Sequence, residues 1–485
     1  MRIAALLLLT GLVCCGEDPA SASAPASWEK QFRQGSEFLR HKNYPEARKC
    51  FQRATQLRPS YAEGFFYLGI SALRSGDRPA AEAALRHAVL LNPRAVNALY
   101  NLGVLLLEDK LPSQAAEYFE RAGKEGPFSQ ELAVNLIRAR LEARQVKQAM
   151  AFVESTSRQF AGEAGFHLVT GKLLFEHGLD AASCSELSKA NRLAPNEIEV
   201  AMPMAAACLS ANELAAAKAA LLSIKRESQG SVQYHQLAAQ VFLRTGEKDT
   251  ALKEMGSAVG IEPQNPLLLL QLGRLYQKSG QQDKALQVLE KAASLDPNLP
   301  DIAYSMAVTY ITEENEPKAI ELLSRALKLK PDFDRSLFLL GSIHLAADRL
   351  DEADGPLADA LRLQPRNPFY LCFVGMLRIR QLRTKEAEKE FLQAEAIDPS
   401  YALPHFHLGR LLARTSRRAE AETELETSVA LQPDLAEAYY DLGLLLHKLG
   451  KQEQSDQALA HFRSLRSAAE SERAVVLKEL QETIR

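Results

Sequence analysis

The histidines come nearest to a chemical site in this sequence, because imidazole can bind a metal ion or transfer a proton near neutral pH. His167, His235 and His405 each occupy the fourth position of a repeating 34-residue unit, but their units stand far apart along the chain. They are therefore expected to be packing residues, and no metal site is predicted. The sequence also has no HExxH motif, no GxSxG motif and no phosphate-binding loop. It predicts no catalytic residue, no cofactor and no enzymatic activity.

Four cysteines lie beyond the N-terminal segment, namely Cys50, Cys184, Cys208 and Cys372. They form no CxxC pair and no metal-ligand cluster, and their separations show no disulfide framework. Small buried side chains are the favoured interpretation. A bridge from Cys184 to Cys208 between neighbouring helices is the alternative.

The N-terminal segment has the features of an export signal. Arg2 precedes an apolar run over 3–13, which is too short to cross a bilayer and ends at Cys14 and Cys15. The run into these cysteines resembles a bacterial lipobox, and the resemblance implies a signal peptide over 1–15 with lipid on Cys15, or less favourably on Cys14. An ordinary cleavage near the alanines and serines of 20–24 is the alternative. Residues 16–27, rich in Ala, Ser and Pro, are then a flexible tether.

The charge balance argues against a polyanionic partner. The 485 residues contain 58 basic and 61 acidic side chains, for a formal net charge of -3. The chain has no excess of positive charge that would attract a phosphate backbone, so nucleic-acid binding is not expected.

From Trp28 onward the chain follows one period of 34 residues. Glycine recurs at positions such as Gly69, Gly103, Gly273 and Gly341. An alanine or serine follows twelve residues later, an alanine seven residues after that, and a proline five residues beyond. Small residues at helical spacing let neighbouring helices approach closely, and large residues fill the remaining space.

This pattern resembles the tetratricopeptide repeat. The resemblance implies an all-α fold, a right-handed α-solenoid (superhelix) of about thirteen helix-turn-helix repeats over 28–469. The predicted repeats begin at residues 28, 62, 96, 130, 164, 198, 232, 266, 300, 334, 368, 402 and 436. The units from 130 and 198 match the pattern least. Residues 470–485 predict a C-terminal capping helix, with a coiled-coil segment as the alternative.

In this family the concave face, lined by the first helix of each repeat, is expected to bind partners. Apolar columns at the fifth and twelfth positions are either an exposed groove or packing between repeats, and the pattern leaves both open. Basic residues in the last repeats favour an acidic segment or a terminal carboxylate. Arg244, Arg274 and Lys278 form a weaker patch. The predicted partner-binding residues are Phe338, Arg380, Phe406, His407, Arg410, Arg414, Tyr440 and Lys448.

The sequence therefore predicts a non-catalytic scaffold of the bacterial cell envelope that binds a protein or peptide in its concave groove and aids assembly or secretion of an envelope complex. It would touch the membrane only through a lipid anchor, on the periplasmic or outer-membrane side. One alternative is a substrate-selecting, non-catalytic subunit of a separately encoded glycosyltransferase or peptidase. Another is a cytosolic adaptor whose N-terminus is not cleaved.

Overall fold

The computed structural model describes residues 27–224 and 230–466, and within these ranges the chain forms twenty-six α-helices and no strand. The first twelve helices are α1 (Ser27–Arg40), α2 (Tyr44–Leu57), α3 (Ala62–Arg74), α4 (Arg78–Leu91), α5 (Val96–Glu108), α6 (Pro112–Glu125), α7 (Gln130–Glu142), α8 (Val146–Gln159), α9 (Ala164–Glu176), α10 (Asp180–Leu193), α11 (Ile198–Ser210) and α12 (Leu214–Ser223). The remaining helices are α13 (Val232–Arg244), α14 (Lys248–Ile261), α15 (Pro266–Lys278), α16 (Gln282–Leu295), α17 (Pro300–Thr312), α18 (Glu316–Leu329), α19 (Asp334–Ala346), α20 (Leu350–Leu363), α21 (Pro368–Arg380), α22 (Thr384–Ile397), α23 (Ala402–Leu412), α24 (Arg418–Leu431), α25 (Ala436–Lys448) and α26 (Gln452–Arg466).

From α1 to α12 and from α15 to α26 the helices form successive antiparallel pairs, in which each odd-numbered helix packs on the even-numbered helix that follows it. Compact packing divides the chain into two units, Met1–Gly230 with Gln240–Gly246, and Ser231–Ala239 with Glu247–Arg485. Within each unit the pairs stack in chain order. The predicted all-α solenoid of helical hairpins is confirmed. The predicted capping helix over 470–485 lies outside the described residues.

Each hairpin is closed by a tight turn at the fifteenth residue of the unit. This residue has a positive φ in Gly76 and Gly280, but also in Lys42 (59°) and Leu382 (60°), where a side chain disfavours that conformation. In the unit from Ala402 the first helix already ends at Leu412, and no residue of its turn has a positive φ. Helix packing therefore imposes the left-handed position even where the residue is not glycine.

The recurring glycine is required by contact with the second helix of its own unit. A Cβ atom placed on Gly273 would lie 2.6 Å from Leu289 Cγ, which is far inside normal contact distance. The two alanine columns are equally enclosed, since Ala285 and Ala292 are both fully buried. Where serine replaces the first alanine, as in Ser183, its hydroxyl donates to the Gly171 carbonyl oxygen at 2.7 Å. The hydroxyl is thus paired at a site that could otherwise hold only an apolar side chain.

Two of the four cysteines are bonded to each other. Cys184 on α10 and Cys208 on α11 form a disulfide with their Cα atoms 4.7 Å apart. The bridge links the second helix of one unit to the first helix of the next. For this pair the alternative interpretation, a disulfide, is therefore correct, and the favoured one, two buried thiols, is wrong. Cys50 and Cys372 are buried and form no disulfide with each other or with this pair.

Candidate functional site

From Leu270 to Phe406 every residue of the apolar fifth column is buried. Phe338 and Phe406 are only 3% and 4% exposed. The Phe338 ring stacks on Tyr370 with centroids 4.6 Å apart, and Phe406 shares a buried cluster with Ala438 and Leu442 of α25. The prediction that Phe338 and Phe406 offer surface to a partner is therefore corrected, because helices of the adjoining repeat cover both rings.

His407 is also removed from the predicted contact surface. It is buried beside Phe406 and stacks on Phe391 with ring centroids 5.7 Å apart. Burial lowers the pKa of His407 to about 3, and the positive charges of Arg410 and Arg380 act in the same direction. The imidazole is consequently neutral at physiological pH and adds no positive charge to the surface.

The other predicted residues remain accessible, and one further apolar side chain, that of Leu444, lies on the same helix as Tyr440 and Lys448. Tyr440 is 42% exposed and Leu444 is 39% exposed. With Lys448 they recur every four residues along α25, so the three side chains form one stripe on that helix. Arg414 is also exposed and follows α23. We call the set Arg410, Arg414, Tyr440, Leu444 and Lys448 the C-terminal basic face.

Asp441 organises the charges of this face. The Arg410 Nε atom lies 3.4 Å from Asp441 Oδ2, and the Arg410 guanidinium also sits 5.7 Å from the Phe406 ring centroid. Burial raises the pKa of Asp441, whereas the charges of Arg410, Arg414 and Lys448 lower it and that of Glu437 raises it. Three cations thus surround two carboxylates, and the face carries a positive surplus.

The basic residues differ in whether their charge is already compensated. Arg380 forms an ion pair with Asp348 at 3.0 Å. Within 27–224 and 230–466, Arg414 and Lys448 form no ion pair. These two cations are therefore the ones best able to bind a carboxylate from a partner.

Two guanidinium groups of the weaker predicted patch already have polar partners within the described residues. Arg274 is engaged internally, with an ion pair to Asp301 at 2.8 Å and a hydrogen bond to Ser305 Oγ at 3.0 Å. Arg244 belongs to the first unit and donates to Asn212 Oδ1 at 2.7 Å. Both guanidinium groups therefore differ from that of Arg414, which forms no ion pair within the described residues.

Two protein-family models match the sequence of this chain. A model described as tetratricopeptide repeat matches residues 32–77, 68–129, 304–368 and 406–472, and a second model with the same description matches 243–311. Together these matches cover more than half of the sequence. The chain belongs to the tetratricopeptide repeat (TPR) family. No curated protein matches it.

Solved structures similar to this TPR protein include the APC/C hetero-tetramer Cut9–Hcn1. That likeness has 15% identity and a TM-score of 0.43, and covers 94% of this chain and 97% of the other. Yeast Tom70 is similar at 16% identity with a TM-score of 0.38, covering 94% of this chain and 95% of the other.

The predicted lipidation residues Cys15 and Cys14, the signal peptide over 1–15 and the tether up to residue 26 lie outside the described residues. Ser27, assigned to the tether, is the first residue of α1. Among the helices described, none has the length and apolar character needed to span a bilayer.

A second polar arrangement in the TPR units was missed by the sequence analysis. His167, His235 and His405 each place Nδ1 within 2.6 to 2.7 Å of a glutamate Oε2 nineteen residues later, on the second helix of the same repeat. His167 is fully buried, and the side chains of His235 and His405 are 16% and 12% exposed. The three histidines pack in the repeat as expected, but each also has a carboxylate partner. The constant spacing to Glu186, Glu254 and Glu424 is the signal that could have revealed the pairs.

The pair at His405 includes a second carboxylate. Glu395 Oε1 lies 3.3 Å from His405 Nδ1. Burial and the negative charge of Glu424 together raise the pKa of Glu395 to about 7, while the charge of His405 opposes the shift. Burial alone would lower the pKa of His405, but its hydrogen bond to Glu424 and the two nearby negative charges raise it overall.

Proposed function

We propose that this TPR protein is a non-catalytic scaffold that binds an acidic segment or terminal carboxylate of a partner protein through the C-terminal basic face. The observation that carries the proposal is the position of Arg414 and Lys448, two cations without an ion pair in the described residues, beside exposed Tyr440 and Leu444. Cations supply attraction and orientation, whereas the aromatic and aliphatic surface supplies affinity. A peptide carrying both carboxylates and apolar side chains matches this face.

We further propose that the protein acts in the bacterial cell envelope, where it aids assembly or secretion of a multiprotein complex. The short apolar run before Cys14 and Cys15 supports export and lipidation at Cys15. The Cys184–Cys208 disulfide supports the same location, because disulfides persist in oxidising compartments such as the periplasm.

The location is tested by expressing the full chain in a Gram-negative host, fractionating the cells and measuring the mass of the mature N-terminal peptide. A diacylated or triacylated peptide beginning at Cys15 is expected in the membrane fraction. Cys15→Ala should abolish the lipid, while Cys50→Ala serves as the matched control. A full-length chain retaining Met1 in the cytoplasm would contradict the proposal.

A further inference from the structure

Glu395, His405 and Glu424 converge from three consecutive helices, α22, α23 and α24. One ligand atom from each, Glu395 Oε1, His405 Nδ1 and Glu424 Oε2, lies within 4.8 Å of the other two. The side chains are 13%, 12% and 22% exposed, so the cluster is largely enclosed but still reached by solvent. Among the described residues this is the one group of three such ligands.

The imidazole is oriented in the manner of a metal-bound histidine. His405 Nε2 lies 3.3 Å from the Pro399 carbonyl oxygen, to which it can donate its hydrogen. With the proton on Nε2, the lone pair of Nδ1 points toward the two carboxylates. Histidine ligands of metals commonly donate their second ring N–H to a carbonyl or carboxylate in this way.

One carboxylate oxygen of the cluster has no hydrogen-bond partner. Glu395 Oε1 is buried and accepts no hydrogen bond, although Nδ1 of His405 lies 3.3 Å away. A buried carboxylate oxygen without a donor is costly, and a second carboxylate close by adds repulsion. A bound cation would relieve both effects.

The equivalent pair in an earlier repeat shows how the same framework is completed without an ion. At the place of Glu395 the His167–Glu186 pair has Ser157, whose hydroxyl donates to Glu186 Oε1 at 3.0 Å. The ammonium of Lys189 lies 2.6 Å from the same oxygen. At the place of Lys189 the later cluster has Thr427, whose hydroxyl donates instead to the Thr423 carbonyl. The later cluster thus gains a carboxylate and loses the competing ammonium.

We propose that Glu395, His405 and Glu424 bind a divalent transition-metal ion, with water completing its coordination. One imidazole and two carboxylates form a ligand set suited to Zn²⁺ and to Mn²⁺ or Co²⁺. The ion takes the place of the proton shared between His405 and Glu424. It links the second helix of one repeat to both helices of the next, whose first helix also carries Arg410 of the C-terminal basic face.

The proposal is tested by calorimetric titration of the chelator-treated full chain with ZnCl₂. Zinc binding at this site is expected to weaken about tenfold or more in Glu395→Gln and to disappear in His405→Ala, lowering the stoichiometry by one. His235→Ala is the matched control, since His235 has the same repeat position and similar exposure, and it should leave this site intact. Equal binding by wild type and both cluster variants would overturn the proposal.

A spectroscopic measurement keeps the test decisive if His405→Ala fails to fold. Co²⁺ added to the wild-type chain should give visible d–d absorption bands, which Glu395→Gln, a nearly isosteric change, should weaken or shift. Zn²⁺ should likewise raise the Tm of wild type and His235→Ala but not that of Glu395→Gln. Cobalt spectra and zinc-dependent Tm values identical in wild type and Glu395→Gln would refute a site at this cluster. These readouts require no partner peptide, so they are independent of the proposed partner-binding function.

Discussion

Arg410 and Asp441 connect two neighbouring repeats, with Arg410 Nε 3.4 Å from Asp441 Oδ2. This contact holds one guanidinium of the C-terminal basic face against the protein, while Arg414 and Lys448 extend the same positive surface without an ion pair in the described residues. Arg410 is therefore best regarded as a positioning residue, and the other two cations are the proposed ligands of a partner carboxylate.

Replacing a helical glycine by alanine should lower the stability of the fold only where the glycine touches a neighbouring helix. Gly273→Ala is expected to destabilise the protein by about 1 to 3 kcal/mol, because the new Cβ atom would overlap Leu289 Cγ. Gly256→Ala is the control, since this helical glycine is exposed and has no atom within 4 Å of its Cβ position. It should stabilise by roughly 0.5 to 1 kcal/mol. Urea denaturation measures both, and equal effects would refute the packing argument.

This repeat packing is the part of the fold that the sequence predicts well. The columns of Gly273, Ala285 and Ala292 recur because these positions are enclosed by neighbouring helices, and a Cβ atom on Gly273 would overlap Leu289. The turns are less predictable from the sequence. Leu382 adopts the left-handed conformation because the helices on either side impose it, and the sequence has no glycine there to indicate the turn.

The candidate site was predicted only in part. Phe406 and Tyr440 occupy the same column, yet Phe406 is buried in a cluster with residues of the next repeat, while Tyr440 lies on the last odd-numbered helix described. The column pattern alone does not reveal this difference in exposure. The cluster at His405 was missed for a similar reason, because Glu395 comes from the preceding repeat.

The two aromatic residues should therefore respond differently to truncation. Phe406→Ala is expected to lower the free energy of unfolding by about 3 to 5 kcal/mol, the usual cost of removing a buried phenyl ring. Tyr440→Ala should cost less than about 1 kcal/mol, as expected for an exposed position. Both values can be measured by chemical denaturation. A small loss for Phe406→Ala would mean that its ring is not part of the core.

His407 should make stability depend on pH below its ordinary pKa. The imidazole takes up a proton near pH 6.5 in the unfolded chain but only near pH 3 in the folded chain, because burial and the charges of Arg410 and Arg380 lower its pKa. Stability is therefore unaffected above pH 6.5 and falls as the pH decreases toward 3, with a slope of at most about 1.4 kcal/mol per pH unit.

The His407→Leu variant isolates this contribution, because every other titrating group is retained. Between pH 7 and pH 5, wild type should lose roughly 2 kcal/mol more than the variant. Denaturation curves at the two pH values supply the comparison. Identical losses would show that the folded imidazole is not held neutral.

The disulfide should stabilise the first unit. Cys184 and Cys208 are 24 residues apart, and closing a loop of this size restricts the unfolded chain by about 3 kcal/mol in the chain-entropy model. A reductant is expected to lower the Tm of the wild type but not that of Cys184→Ser/Cys208→Ser. Cys50→Ala, which removes a free thiol, should retain the sensitivity. A wild-type Tm that does not respond to reductant under unfolding conditions would contradict this prediction.

The most direct test of the partner-binding claim is titration of the full chain with a fluorescent peptide that contains several glutamates, one leucine and one aromatic residue, followed by fluorescence anisotropy. Arg414→Glu/Lys448→Glu should weaken binding about tenfold or more, whereas Lys291→Glu/Lys328→Glu, an equal charge change on exposed positions of α16 and α18, should have little effect. Comparison of the free and amidated peptide termini then shows whether the terminal carboxylate contributes. If the wild type does not bind, or if both double variants weaken binding equally, the C-terminal basic face is not the partner site.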